Sequence, residues 1–166
     1  AEVEYKDEAS HLWHLRYKIV KNENEKDIPD YVEVATTRPE TMLGDTAVAV
    51  NPLDKRYKKL VGRKVIVPIV NREIPIIADD FVDTEFGTGC VKVTPAHDFN
   101  DYQAGIKHNL EIIEVFDDSS IMNNLVPEYK GMKAIDARDK IVEKLKEIGA
   151  LVSIEDYEHN VGKCYR

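Results

Sequence analysis

Apolar and polar residues alternate along much of the chain, with the two-residue period of half-buried strands. Trp13, Leu15, Tyr17 and Ile19 fall on one face, and Tyr31, Val32 and Val34 lead into Ala35-Thr36-Thr37. Both segments are predicted strands. Similar runs at residues 46–50, 64–70, 74–78, 90–94, 112–116 and 151–154 are mostly bounded by Gly, Pro, Asn or Asp. Asn71 and Arg72, between two of these runs, predict a hairpin.

The period changes to that of a helix in two places. Residues 98–109 read as a short helix capped at its start. Ile135, Ile141, Val142, Leu145 and Ile148 form a 3.6-residue stripe ending at Gly149. Many short strands and few helices predict a β-rich mixed α/β domain: a β-barrel core or strongly curved sheet with a few peripheral helices, not alternating βαβ units. No repeat or long linker divides residues 1–166, so one domain is expected, and Lys21 to Asp27 read as a solvated loop.

Composition narrows the class. With 43% hydrophobic and 33% charged residues the chain is too apolar for disorder, and no run approaches the roughly 18 apolar residues of a spanning helix. Ala1 to Lys6 lack the basic and apolar regions of a signal peptide, so a cytoplasmic setting with no membrane contact is expected. Cys90 and Cys164 each sit in an apolar alternating run and are expected to be unpaired. A net charge of −8 argues against broad binding to a phosphate backbone, which leaves room only for small, local nucleic-acid contacts.

Two stretches depart from the plain core-and-surface pattern. In Thr36-Thr37-Arg38-Pro39-Glu40-Thr41-Met42-Leu43-Gly44-Asp45, a strand ends and Pro39 presets a helical turn. A structural reading makes Thr37 or a neighbouring hydroxyl a helix cap. In the second, 86–101, Phe86-Gly87-Thr88-Gly89 enters a strand that leaves through Thr94-Pro95-Ala96-His97 toward a helix, with Lys92 and Thr94 on one strand face. The glycine spacing fits neither nucleotide-binding fingerprint. Asp98 and Asp101 share the first helical turn. Asp98 reads equally as a cap, and Asp101 either as part of a solvated face or as a carboxylate for an ammonium group in a cleft.

Together, Thr-Thr-Arg-Pro-Glu-Thr-Met-Leu-Gly-Asp at 36–45 and Gly-Thr-Gly-Cys-Val-Lys-Val-Thr-Pro-Ala-His-Asp at 87–98, followed by Asp101, closely resemble the inserted editing domain of valyl-tRNA synthetases. The resemblance covers nearly the whole chain. It includes the closing His159 to Arg166, which resembles the strand returning to the synthetase core, so the chain is expected to be an excised insertion. Isoleucyl and leucyl enzymes carry a similar insertion with a Pro-Trp-Thr pattern where this chain has Arg38-Pro39-Glu40-Thr41. Neither aminoacylation motif of these enzymes, the His-Ile-Gly-His type or the Lys-Met-Ser-Lys-Ser type, is present.

What the resemblance implies is an aminoacyl-tRNA deacylase acting within a valine-tRNA ligase and unable to activate amino acids itself. Its partner would be tRNA(Val) carrying threonine on the 3′ terminal adenosine, with threonyl-adenylate as a second candidate substrate. It places Asp101 on the threonine ammonium, with Asp98, Thr41, Lys92 and Phe86 around the side chain and Thr94 and Arg38 completing the wall. Asp101, Thr41 and Lys92 are the implied catalytic residues, while Thr36 and Thr37 face the adenosine and the attacking water. Such a module is needed because an apolar pocket that accepts valine cannot strongly reject its hydroxylated isostere; valyl-tRNA synthetase facing threonine is the standard example, at about a hundredfold.

Neither a cofactor nor a metal is expected. His11 and His14 fall on opposite strand faces, and His108 and His159 add no ligand spacing. No oriented base accompanies Cys90 or a serine, and His97 is read as structural or peripheral. An editing domain of isoleucyl type, a noncatalytic barrel that binds a tRNA end, and a free-standing deacylase are the alternatives. No heptad seam demands a partner chain, so a monomer is expected.

Overall fold

The computed structural model describes the backbone of residues 7–160 and the side chains of residues 11–156. Its elements run β1 (Asp7–Ile19), β2 (Tyr31–Thr36), a 3₁₀ turn (Pro39–Gly44), β3 (Ala47–Val50), a second 3₁₀ turn (Lys58–Leu60), β4 (Lys64–Ile66), β5 (Glu73–Ala78), β6 (Cys90–Val93), α1 (Phe99–Lys107), α2 (Ala134–Glu147) and β7 (Leu151–Asn160). The strands form a seven-stranded mixed sheet in the order β2-β1-β4-β5-β3-β6, with β7 also on β1. Among the described residues only β3 and β5 pair in parallel. The outer strands β2 and β6 curl toward each other, and the Thr88 hydroxyl donates to the Glu33 carbonyl across the seam, so the sheet is a nearly closed barrel.

Alternation builds the interior. Leu15, Tyr17 and Ile19 of β1 and Val34 of β2 fill the barrel with Met42, Leu43, Val65, Ile74 and Ile76. Each such side chain contributes about 1.5–3 kcal/mol on burial. In β3, buried on both faces, Val48 and Val50 enter this core, while the smaller Ala47 and Ala49 meet Val82, Val93 and Ala104 beneath α1. Helix α1 lies close because Gly105 has no side chain; a Cβ there would stand 3.0 Å from Pro95.

Three elements differ from the sequence reading. The strand expected over 64–70 stops at Ile66, because the chain turns through Pro68 and a positive-φ Ile69 to close the β4–β5 hairpin at Asn71 and Arg72. Residues 112–116 form no named strand. The Val115 N–H donates to His97 and its carbonyl accepts from Asn123, so these groups do not join a ladder, and only Phe116 forms an isolated bridge, to Met122. In α2 the buried stripe is Ala134, Ala137, Ile141 and Leu145, whereas Ile135 is 57% exposed and Ile148 47%. The helix ends as expected, at Gly149 with φ +80°.

Cys90 is free and buried; Cys164 and the rest of 161–166 lie outside the described residues. Asp7 and Asn160 are cross-strand partners of β1 and β7. Among the described residues no helix is long and apolar enough to cross a membrane, and no group of three metal-ligating side chains occurs.

Candidate active site

The two unusual stretches meet at the barrel seam. Where β2 ends, the chain bends into the Pro39–Gly44 turn, and Thr36 stabilises the bend by accepting the Arg38 N–H at 3.0 Å. No side chain caps the turn itself, which removes the cap reading of Thr37. Across the seam, β6 carries Val91, Lys92 and, just beyond its end, Thr94 into Pro95 and α1. Between them lies a cleft of about 130 Å³ whose walls include Thr36, Thr37, Arg38, Thr41, Lys92, Thr94, His97, Asp98 and Asp101. Phe86 lies outside this lining, in the turn that precedes β6; a Cβ on neighbouring Gly87 would stand 3.4 Å from Ala35, so that turn borders the cleft without its ring lining it.

Helix α1 supplies the acidic wall. Asp98 is its N-cap and accepts the Asp101 N–H at 3.0 Å, so it is both cap and lining residue. Asp101 is buried at 6% exposure, and its Oδ2 accepts the Thr94 N–H at 3.0 Å. Of the two readings of Asp101, the solvated helix face does not hold: its carboxylate accepts a backbone bond and lines the cleft. Opposite, Arg38 reaches across the mouth to the His97 carbonyl at 2.8 Å and ties the two motifs together.

The Leucyl-tRNA synthetase, editing domain family matches residues 59–146, just over half of the chain. The chain belongs to the synthetase editing-domain family. This editing domain is 55% identical over 165 residues to the valine--tRNA ligase of Geobacter sulfurreducens and 56% identical over 165 residues to that of Thermotoga maritima, which groups it with the valyl enzymes. In both comparisons the match covers 99% of this chain and 18% of the relative's length. Its fold is similar to GlLeuRS-CP1, with a TM-score of 0.68 at 12% identity over 87% of this chain and 99% of that one. It is also similar to the Agrobacterium radiobacter K84 agnB2 LeuRS solved with tRNA and LeuAMS, with a TM-score of 0.64 at 17% identity over 92% of this chain and 20% of that one.

Beneath the cleft, the editing domain holds a wholly buried carboxylate that the sequence reading did not single out. Asp45 Oδ1 accepts from Thr94 Oγ1 at 2.6 Å and pairs with Lys92 Nζ at 2.9 Å, while Oδ2 accepts from the Tyr17 hydroxyl at 2.5 Å. Lys92 also donates to Thr41 Oγ1 at 2.8 Å and Thr94 Oγ1 at 2.5 Å. Burial pushes the Asp45 carboxyl up from its ordinary value, and the Lys92 cation with the Thr94 and Tyr17 bonds pulls the other way. Burial and the same carboxylate raise the Tyr17 phenol well above its ordinary value, so it stays a donor. Asp45 neutralises Lys92, while Asp98 and Asp101 line the α1 side of the cleft.

A second pair holds the threonine-rich turn from behind. Glu40 accepts two hydrogen bonds from Arg138 of α2, at 2.8 and 2.9 Å, and Arg138 also sits over the Trp13 ring. No spacing in the sequence announces these partners, which lie far apart along the chain.

His97 and Cys90 are accounted for structurally. The His97 ring stacks on Phe116 and its Nε2 accepts the Val115 N–H at 3.0 Å, so the neutral ring carries its proton on Nδ1. Burial, with Arg38 and Lys92 nearby, lowers its pKa to about 4. Burial pushes the Cys90 thiol up to about 12, with Asp54 adding to the rise, which makes it a poor nucleophile at neutral pH.

Proposed function

We propose that this editing domain hydrolyses the ester joining threonine to the terminal adenosine of tRNA(Val) and spares the valyl ester. The observation that carries the reading is the convergence of Thr41, Lys92, Thr94 and Asp101 on one small cleft. A carboxylate fixed at its floor suits the α-ammonium of an aminoacyl ester: unit charges about 4 Å apart attract by roughly 4 kcal/mol at an effective dielectric near 20, before desolvation. That contact would fix where the ester carbonyl lies.

Around this anchor the wall is polar. A threonine side chain exchanges hydrogen bonds with water for hydrogen bonds with the wall, while valine leaves buried groups unpaired at about 1–3 kcal/mol each. Thr36, Thr37 and Thr41 offer hydroxyls and backbone groups to the adenosine and to an attacking water. Phe86, which the resemblance sets beside the threonine side chain, lies outside the cleft lining and carries no part of this reading. Lys92, whose N–H hydrogens are taken by Thr41, Thr94 and Asp45, acts by holding the wall in shape rather than by protonating the substrate. Attack is direct, by water, because Cys90 and His97 are both committed elsewhere.

The 18% share of the relatives' length, together with the pairing of Asp7 with Asn160, fits a module inserted in a valine-tRNA ligase, working in the cytoplasm on the tRNA end that the parent presents. The deciding assay follows release of amino acid from threonyl-tRNA(Val) and valyl-tRNA(Val) by this chain. Threonine release at least tenfold above the valyl rate is expected; equal inertness toward both esters would replace the reading with a noncatalytic tRNA-end binder.

A further inference from the structure

The hydrogens of the buried network can be counted. Lys92 has three to donate, and they go to Thr41, Thr94 and Asp45. The Thr94 hydroxyl hydrogen goes to Asp45, since an ionised carboxylate only accepts, and the Thr41 hydroxyl hydrogen goes to the Arg38 carbonyl at 2.8 Å. Every hydrogen of these three side chains therefore points into the protein. Each threonine oxygen also accepts one bond from Lys92, which leaves it one lone pair.

We propose that Asp45 is a positioning residue that sets the direction of this network: by taking the hydrogens of Thr94, Lys92 and Tyr17 it makes the Thr41 and Thr94 oxygens face the cleft as acceptors only. The wall therefore selects a side chain that can donate a hydrogen bond, which deepens the threonine reading above and rests on it. A β-hydroxyl donates to one of these remaining lone pairs; a methyl in the same place cannot. Asp45 never touches the substrate. It is wholly buried, reached from the cleft only through Lys92 and Thr94, and held from the far side by Tyr17. Without its charge the Lys92 ammonium loses the counter-ion 2.9 Å away, and the Thr94 hydroxyl is free to turn its hydrogen toward the cleft, where it would oppose a donating substrate.

The test compares the unmodified chain with Asp45→Asn and Tyr17→Phe, using the ratio of kcat/KM for threonyl-tRNA(Val) to that for valyl-tRNA(Val) and checking the fold of each by circular dichroism and cooperative melting. Asp45→Asn is expected to lower the ratio at least tenfold, chiefly through threonine release. Tyr17→Phe, which loosens one oxygen of the same carboxylate and keeps the core shape, is expected to lower it about threefold. Folded variants that keep the unmodified ratio would overturn the role of Asp45. If Asp45→Asn does not fold, Tyr17→Phe decides alone by the same criterion. An unmodified chain that hydrolyses neither ester would instead refute the proposed function, so the two failures are distinguishable.

Discussion

Glu40 and Arg138, 98 positions apart, meet through two parallel hydrogen bonds of 2.8 and 2.9 Å that fasten the threonine-rich turn to α2. Glu40 is buried beside Thr41, so the ion pair fixes the height at which the Thr41 hydroxyl stands in the cleft wall. Arg138→Leu would leave the buried Glu40 carboxylate with only the longer, 4.0 Å pairing to Arg38. Discounted for the partial exposure of Arg138, the expected cost is about 2–3 kcal/mol, read as a lower urea midpoint with an unchanged slope. Threonine release is expected to fall by about tenfold at temperatures where the variant stays folded.

Asp101→Asn separates charge from scaffold. The amide oxygen still accepts the Thr94 N–H, so stability should change little, whereas Asp101→Ala would orphan that donor. Loss of the carboxylate charge is expected to reduce threonine release about 100-fold, mostly as lost substrate anchoring. Hydrolysis at the unmodified rate by a folded Asp101→Asn would remove the ammonium role.

Acid should loosen the motif through His97. Its pKa is lowered from 6.5 to about 4, so below pH 6.5 the unfolded chain binds a proton that the folded chain refuses. The stability tied to the neutral ring is therefore complete above about pH 6.5 and is lost as pH falls toward 4. Urea midpoints measured between pH 7 and pH 4 should decline, and a His97→Gln variant should decline less steeply over the same range.

Cys90 should be silent. With its thiol pushed up to about 12 and its side chain buried, iodoacetamide at neutral pH is expected to leave it unlabelled in the folded chain, as read by peptide mass mapping. Cys90→Ala should keep threonine release within about threefold. Abolished activity with a retained fold would reopen a covalent route.

Apart from β3, which is buried on both faces, the strands were legible because one face is buried. Trp13, Leu15, Tyr17 and Ile19 alternate in sequence and all point into the core. The 112–116 run misled because its apolar residues suggest a strand, yet Ile112 is exposed, the neighbours Val115 and Phe116 are both buried, and the groups that bond its backbone, His97 Nε2 and the Asn123 N–H, belong to distant loop positions. The helix stripe was misassigned in part because alanines, which carry little pattern, make the contact of α2 with the core.

The cleft was legible as two motifs, and the resemblance supplied their pairing. What supports them was not. Asp45 stood at the end of the first motif, yet nothing local indicates that it lies under Lys92, and the Glu40 to Arg138 pair is set only by how α2 docks. The clue available was the mostly apolar run from Met42 to Val50, in which Asp45 is the one charged residue and, once buried, must find partners inside.

The central claim is that one polar cleft holds the threonine of an aminoacyl ester by its ammonium and its β-hydroxyl. A structure of this chain bound to a nonhydrolysable threonyl-adenosine mimic tests it most directly. The ammonium is expected within hydrogen-bond distance of Asp101, with the β-hydroxyl facing the Thr41 and Thr94 oxygens and the adenine toward Thr36 and Thr37. A mimic seated away from the seam between β2 and β6, or bound there with its side chain turned out of the cleft, would contradict it.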